Sequence, residues 1–72
     1  MIYLEPRSIY DSAIVCYTGN KIIYSYYLLI FALIESNWTE ENSIEWVNYN
    51  IIGTSMKGWP KILYIESHGE YI

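Results

Sequence analysis

The sequence predicts an α+β domain in which a small antiparallel sheet, made of a β-hairpin plus a C-terminal strand, packs on two helices in the order ββααβ. Three observations carry this. Residues 12–17 (SAIVCY) and 21–24 (KIIY) are β-branched and aromatic runs separated by Thr18-Gly19-Asn20, the spacing of a hairpin. Two helical stretches follow, and residues 61–65 (KILYI), after a Gly58-Trp59-Pro60 loop, read as a third strand.

Each element has its own local reason. Residues 1–4 have the apolar character of an edge strand, closed by Pro6, which cannot donate to a ladder. Residues 26–36 (YYLLIFALIES) are apolar at nearly every position. Their length and Leu/Ala content predict helix, with Ser25 as N-cap. A helix apolar on all sides needs cover beyond one sheet, which predicts self-association. Thr39-Glu40-Glu41 opens the second helix, the threonine as cap and the glutamates complementing the helix dipole. Ile44, Val47 and Ile51 form its expected buried stripe, and Gly53 stands where a left-handed C-terminal residue is expected. Residues 66–72 are expected to fray at the chain end.

Composition narrows the function. The chain has 72 residues, room for a single domain, with 53% hydrophobic and 18% aromatic residues, nine of them tyrosines. A domain so short is marginally stable without a disulfide, a metal or a partner. Cys16 is the only cysteine, so no internal disulfide forms, and Cys16 and His68 are too few soft ligands for zinc. No metal or other cofactor is expected. The apolar surplus, rich in tyrosines suited to a half-wet rim, predicts a homodimer or partner surface.

Eight acidic side chains against four basic ones give a net charge of −4. Direct nucleic-acid binding and anionic membranes are disfavoured, because both draw on clustered Lys and Arg. Basic protein surfaces remain, including the nucleic-acid grooves of other proteins. The longest apolar run, residues 22–34 interrupted by Ser25, spans 13 residues, short of the roughly 20 a membrane helix needs. Glu5 and Pro6 fall where a secretory leader would need an apolar core, so the cytoplasm is the expected location.

The residues able to carry chemistry are few. Cys16 lies among Ile14, Val15 and Tyr17, where a buried structural cysteine is expected. Nothing electropositive near it in sequence would activate the thiol for a partnership with His68. Gly53 and Gly58 have phosphate-loop spacing, but Trp59 stands where that motif needs lysine. No catalytic activity is expected. The stronger candidates form a binding face. Glu40, Glu41 and Glu45 are the densest acidic group, and Glu41 and Glu45 repel at i, i+4. Trp46 and Tyr49 lie at i, i+3, off the apolar stripe, where aromatic residues serve as interface anchors. A merely solvated glutamate face and aromatic packing against the sheet are the alternative readings.

Two segments taken together resemble a group of short proteins of phage and prophage genomes. One is Tyr10-Asp-Ser-Ala-Ile-Val-Cys-Tyr17 with Ile23-Tyr-Ser-Tyr26. The other is Glu40-Glu41, then residues 44–53 (IEWVNYNIIG), then Pro60 and a strand. Asn42-Ser43 replaces that group's usual alanine-containing step, and the glycine expected near Cys16 is missing. The resemblance implies an anti-CRISPR-like role, a non-catalytic inhibitor presenting carboxylates to a basic groove of a host defence protein. A structural or adaptor subunit docking through its apolar helix, and an antitoxin neutralising a basic toxin, are the other functions compatible with these residues.

Overall fold

The computed structural model describes residues 2–54 and 56–64. Its elements run α1 (Arg7–Tyr10), a 3-10 turn (Asp11–Ala13), β1 (Ile14–Thr18), β2 (Lys21–Ser25), α2 (Tyr26–Glu35), α3 (Glu40–Trp46) with a π-helical continuation (Val47–Ile52), and β3 (Lys61–Leu63). The α+β class and the ββααβ order of the main elements hold. Residue 65, the last of the expected third strand, and the C-terminal tail expected to fray, residues 66–72, lie outside the described residues.

The sheet is mixed rather than antiparallel. β2 lies in the centre, antiparallel to β1 (Tyr17↔Ile22, Thr18↔Lys21) and parallel to β3 (Tyr24↔Ile62, Ser25↔Leu63). Residues 26–60 separate β2 from β3, enough chain for the crossover that a parallel neighbour requires. Gly19, at φ +59, supplies the left-handed residue of the β1–β2 turn. The register shifts between Ile14 and Cys16, a bulge of the kind found on edge strands.

Residues 2–4 are not a strand. Leu4 donates its backbone N–H to the Tyr24 hydroxyl at 2.8 Å, so this segment is tethered by one side chain instead of a ladder. Pro6 then starts α1, accepting from the N–H groups of Ile9 and Tyr10 at 3.0 and 3.2 Å. Ser12 and Ala13, expected in β1, belong to the preceding 3-10 turn. Cys16 is exposed, which corrects the expectation of a buried thiol. It lies on the edge strand β1, all of whose residues after Ile14 are exposed, whereas Ile22 to Ser25 of β2 are buried.

Both predicted helix caps form. The Ser25 hydroxyl accepts from Leu28 N–H at 3.3 Å, and the Thr39 hydroxyl from Asn42 N–H at 3.1 Å. Asn37, at φ 76, ends α2. Its N–H donates to the Ile34 carbonyl and that of Trp38 to the Leu33 carbonyl, at 3.0 and 3.1 Å, the paired bonds of a Schellman turn. α3 is rotated from the expected register. Ser43, Val47 and Ile51 are its buried positions, while Ile44 is 36% exposed. Serine is small enough for close helix approach, and its hydroxyl is satisfied internally by the Thr39 carbonyl at 2.7 Å. Gly53 is not left-handed, with φ −72. It is required for space, because a Cβ there would stand 2.9 Å from the Tyr49 carbonyl oxygen.

The core joins Leu4, Tyr10, Ala13, Ile22 and Tyr24 to Leu29, Ile30 and Leu33 of α2 and to Val47 and Ile51. Two of these are phenols. Burial raises the pKa of Tyr24 above its ordinary value, opposed by the bond from Leu4 N–H. Burial likewise raises that of Tyr10, opposed by a bond from Trp46. A pKa raised on folding stabilises the fold below the unfolded value, about 10 for tyrosine, and the benefit is lost as pH rises through the folded values. The melting temperature is therefore expected to fall above about pH 10. Circular dichroism melts at stepped pH, with tyrosinate absorbance followed in parallel, check this. The absorbance should show tyrosines that ionise only as the chain unfolds.

Candidate functional site

The candidate face is built on α3 and its π continuation. The Schellman turn closes α2 and delivers Trp38 directly before the Thr39 cap. The Trp38 and Trp46 rings meet edge-on at 5.5 Å between centroids. Trp46 donates its indole N–H to the Tyr10 hydroxyl at 3.2 Å, which fixes the ring while leaving it 41% exposed. Trp46 is thus both packed and presented. Tyr49, one turn on, is 76% exposed, and packing against the sheet does not describe it.

Five residues were expected on this face, and the structure brings four of them together. Glu45 and Tyr49 form a ridge with a shallow groove on each side. One groove, about 280 Å³, runs along Trp38, Asn42, Trp46 and Asn50. The other, about 390 Å³, is lined by Glu41, Ile44 and Asn48. Glu40 is exposed in the first turn of α3 but lines neither groove. Trp38, Asn42 and Asn50 were not anticipated. Asn50 donates its side-chain N–H to the Trp46 carbonyl at 3.3 Å, and Tyr26 donates its hydroxyl to the Asn48 carboxamide at 3.0 Å.

The electrostatics of the face are one-sided. Residues 1–21 contain Glu5 and Asp11 against Arg7 and Lys21, and residues 57–72 contain Glu66 and Glu70 against Lys57 and Lys61; both segments sum to zero. Residues 22–56 contain Glu35, Glu40, Glu41 and Glu45 and no Lys or Arg, so the whole net charge of −4 falls on the stretch that forms α2 and α3. The one ion pair among the described residues, Arg7 with Asp11 at 3.1 Å, joins α1 to the 3-10 turn that follows it. The glutamates of α3 thus have no intramolecular cation among the described residues.

A second exposed surface lies on α2. Tyr27, Phe31 and Ile34 are 46%, 54% and 37% exposed and follow one another at i, i+4 and i+7, an uncharged apolar stripe on a helix whose opposite side is core.

Among the described residues no three His, Cys, Asp or Glu side chains come together as a metal site would require, and no helix is long and apolar enough to cross a membrane. His68 lies outside the described residues. Comparison with protein-family models, with curated proteins and with solved structures finds no match for this chain.

Proposed function

We infer that this protein acts by binding, without chemistry of its own, and that its partner is a basic, nucleic-acid-binding host protein that it inhibits in the manner of an anti-CRISPR from a mobile element. The observation that carries this reading is the α3 ridge. There a tyrosine 76% exposed projects beside Glu41 and Glu45 from a helical layer that holds all of the chain's net charge. Exposed aromatic anchors provide binding energy, and unscreened carboxylates provide steering and complementarity to a basic groove. The inhibitor works in the host-cell cytoplasm, needs no cofactor, and makes no direct contact with nucleic acid.

The stripe of Tyr27, Phe31 and Ile34 supports a second reading, a structural or adaptor subunit that docks through α2. In the first reading the same stripe is the surface for a second copy, giving a homodimer with the acidic ridges outward.

Capture of partners from lysate of the host, with the tagged protein at low salt, separates the two. An acidic-ridge complex is expected to yield a stoichiometric nucleic-acid-binding protein that elutes as ionic strength rises, because exposed charge pairs are screened within about 10 Å at 0.1 M salt. Recovery of only a salt-resistant apolar partner, or of the protein itself alone, would instead favour docking through α2.

A further inference from the structure

Beside the α3 ridge lies a further cleft of about 290 Å³, lined by four aromatic side chains, Tyr3, Tyr10, Trp46 and Trp59, with Glu5 and Asn50 among them. We propose that this cleft receives a cationic side chain, a lysine or arginine presented by the protein partner.

The indole donors of the walls are already engaged. Trp46 gives its N–H to the Tyr10 hydroxyl at 3.2 Å, and Trp59 gives its N–H to the Ile51 carbonyl at 3.0 Å. What the tryptophans offer a ligand is ring surface, whose electron density attracts cations. Glu5 is exposed and makes no ion pair or hydrogen bond among the described residues. An anion would be repelled by Glu5, and a purely apolar group would cover that carboxylate without compensation. A cation with an alkyl stem satisfies both the rings and the carboxylate.

The fold already contains one such pairing at the cleft wall. The guanidinium carbon of Arg7 stands 3.6 Å from the centroid of the Tyr3 ring. Arg7 does not neutralise Glu5, because its charge is held by Asp11 at 3.1 Å. The cleft also shares Trp46 and Asn50 with the groove along α3, so a basic surface lying on the acidic ridge has a side-chain socket at its margin. The inference rests on the proposed function only for the partner's being a protein, since the socket itself can be tested with free side-chain analogues.

The test is a titration of the ¹⁵N-labelled full chain at low salt with N-acetyl-arginine amide, N-acetyl-lysine amide and the neutral N-acetyl-norleucine amide. The readout is the indole N–H signals, assigned by single Trp→Phe variants. Saturable shifts of the Trp46 and Trp59 signals with the two cations, little change with norleucine, and a Kd weakened about three-fold or more in Glu5→Gln are expected. Glu5 is at the surface, so Glu5→Gln should retain the dispersed spectrum of the folded chain. Absence of saturable shifts, equal shifts with the neutral probe, or unchanged affinity in Glu5→Gln would each overturn the proposal. Because no partner enters this experiment, a negative result here leaves the capture experiment to judge the acidic ridge separately.

Discussion

Leu29→Ala should lower the unfolding free energy by about 3 kcal/mol, within the range for deleting a fully buried leucine side chain. Leu29 is 0% exposed and sits in the core cluster with Leu33, Val47 and Ile51, where it holds α2 against the rest of the fold. A domain of this length has a total of only about 4–11 kcal/mol, so the loss corresponds to a fall in melting temperature of more than about 12 °C. Urea denaturation followed by tryptophan fluorescence checks it. Phe31, two positions on, is 54% exposed, and Phe31→Ala should cost less than about 1 kcal/mol in a dilute monomer. A larger loss that grows with protein concentration would place a second copy over the α2 stripe, as linkage to self-association requires.

Reversing Glu40, Glu41 and Glu45 together to lysine should abolish capture of the basic partner. The change moves the net charge of the chain from −4 to +2, since each substitution adds two positive charges to the value of the parent chain. Each reversal turns attraction across the interface into repulsion, and together they should weaken affinity by about 100-fold or more at low salt. Stability should fall by only a few degrees, because the three side chains are exposed and the first-turn glutamates interact with the helix dipole only modestly. The corresponding Glu→Gln triple variant should be intermediate. Capture that is undiminished in the folded lysine variant would remove the ridge as the recognition face.

The local features of this fold were legible in the residues themselves. A hydroxyl at Ser25 before an apolar run, and another at Thr39 before two glutamates, marked two helix starts, and Gly19 marked the hairpin turn. These depend on a few neighbouring backbone groups. The direction of β3 was not legible, because it depends on where residues 26–60 deliver the chain. The rotation of α3 was not legible for a related reason. Hydropathy favours burying Ile44, but close packing places Ser43 inward and lets Thr39 satisfy its hydroxyl. Cys16 looked buried among apolar neighbours, yet β1 is an edge strand and burial falls on β2 instead.

The candidate face was partly legible. Glu41, Glu45 and Tyr49 share one side of a helix by spacing alone, and the structure keeps them together. Glu40 was grouped with them by adjacency in sequence, which the helical rotation separates. Trp38 gave a usable signal in Ser36-Asn37-Trp38, since asparagine after an apolar helix marks a left-handed cap that fixes the next residue. The cleft containing Glu5 gave none. Its walls come from Tyr3, Tyr10, Trp46 and Trp59, and only the packing of the N-terminal segment and of the loop before β3 against α3 and its π continuation brings them to one place.

The central claim is that the acidic ridge occupies a surface its partner otherwise uses for nucleic acid. It is tested most directly by fluorescence anisotropy of a labelled oligonucleotide bound to the captured partner, titrated with this protein. Release of the oligonucleotide at a stoichiometric end point, with no release by the triple lysine variant, is the expected result. A ternary complex in which the oligonucleotide stays bound while this protein saturates the partner would contradict it.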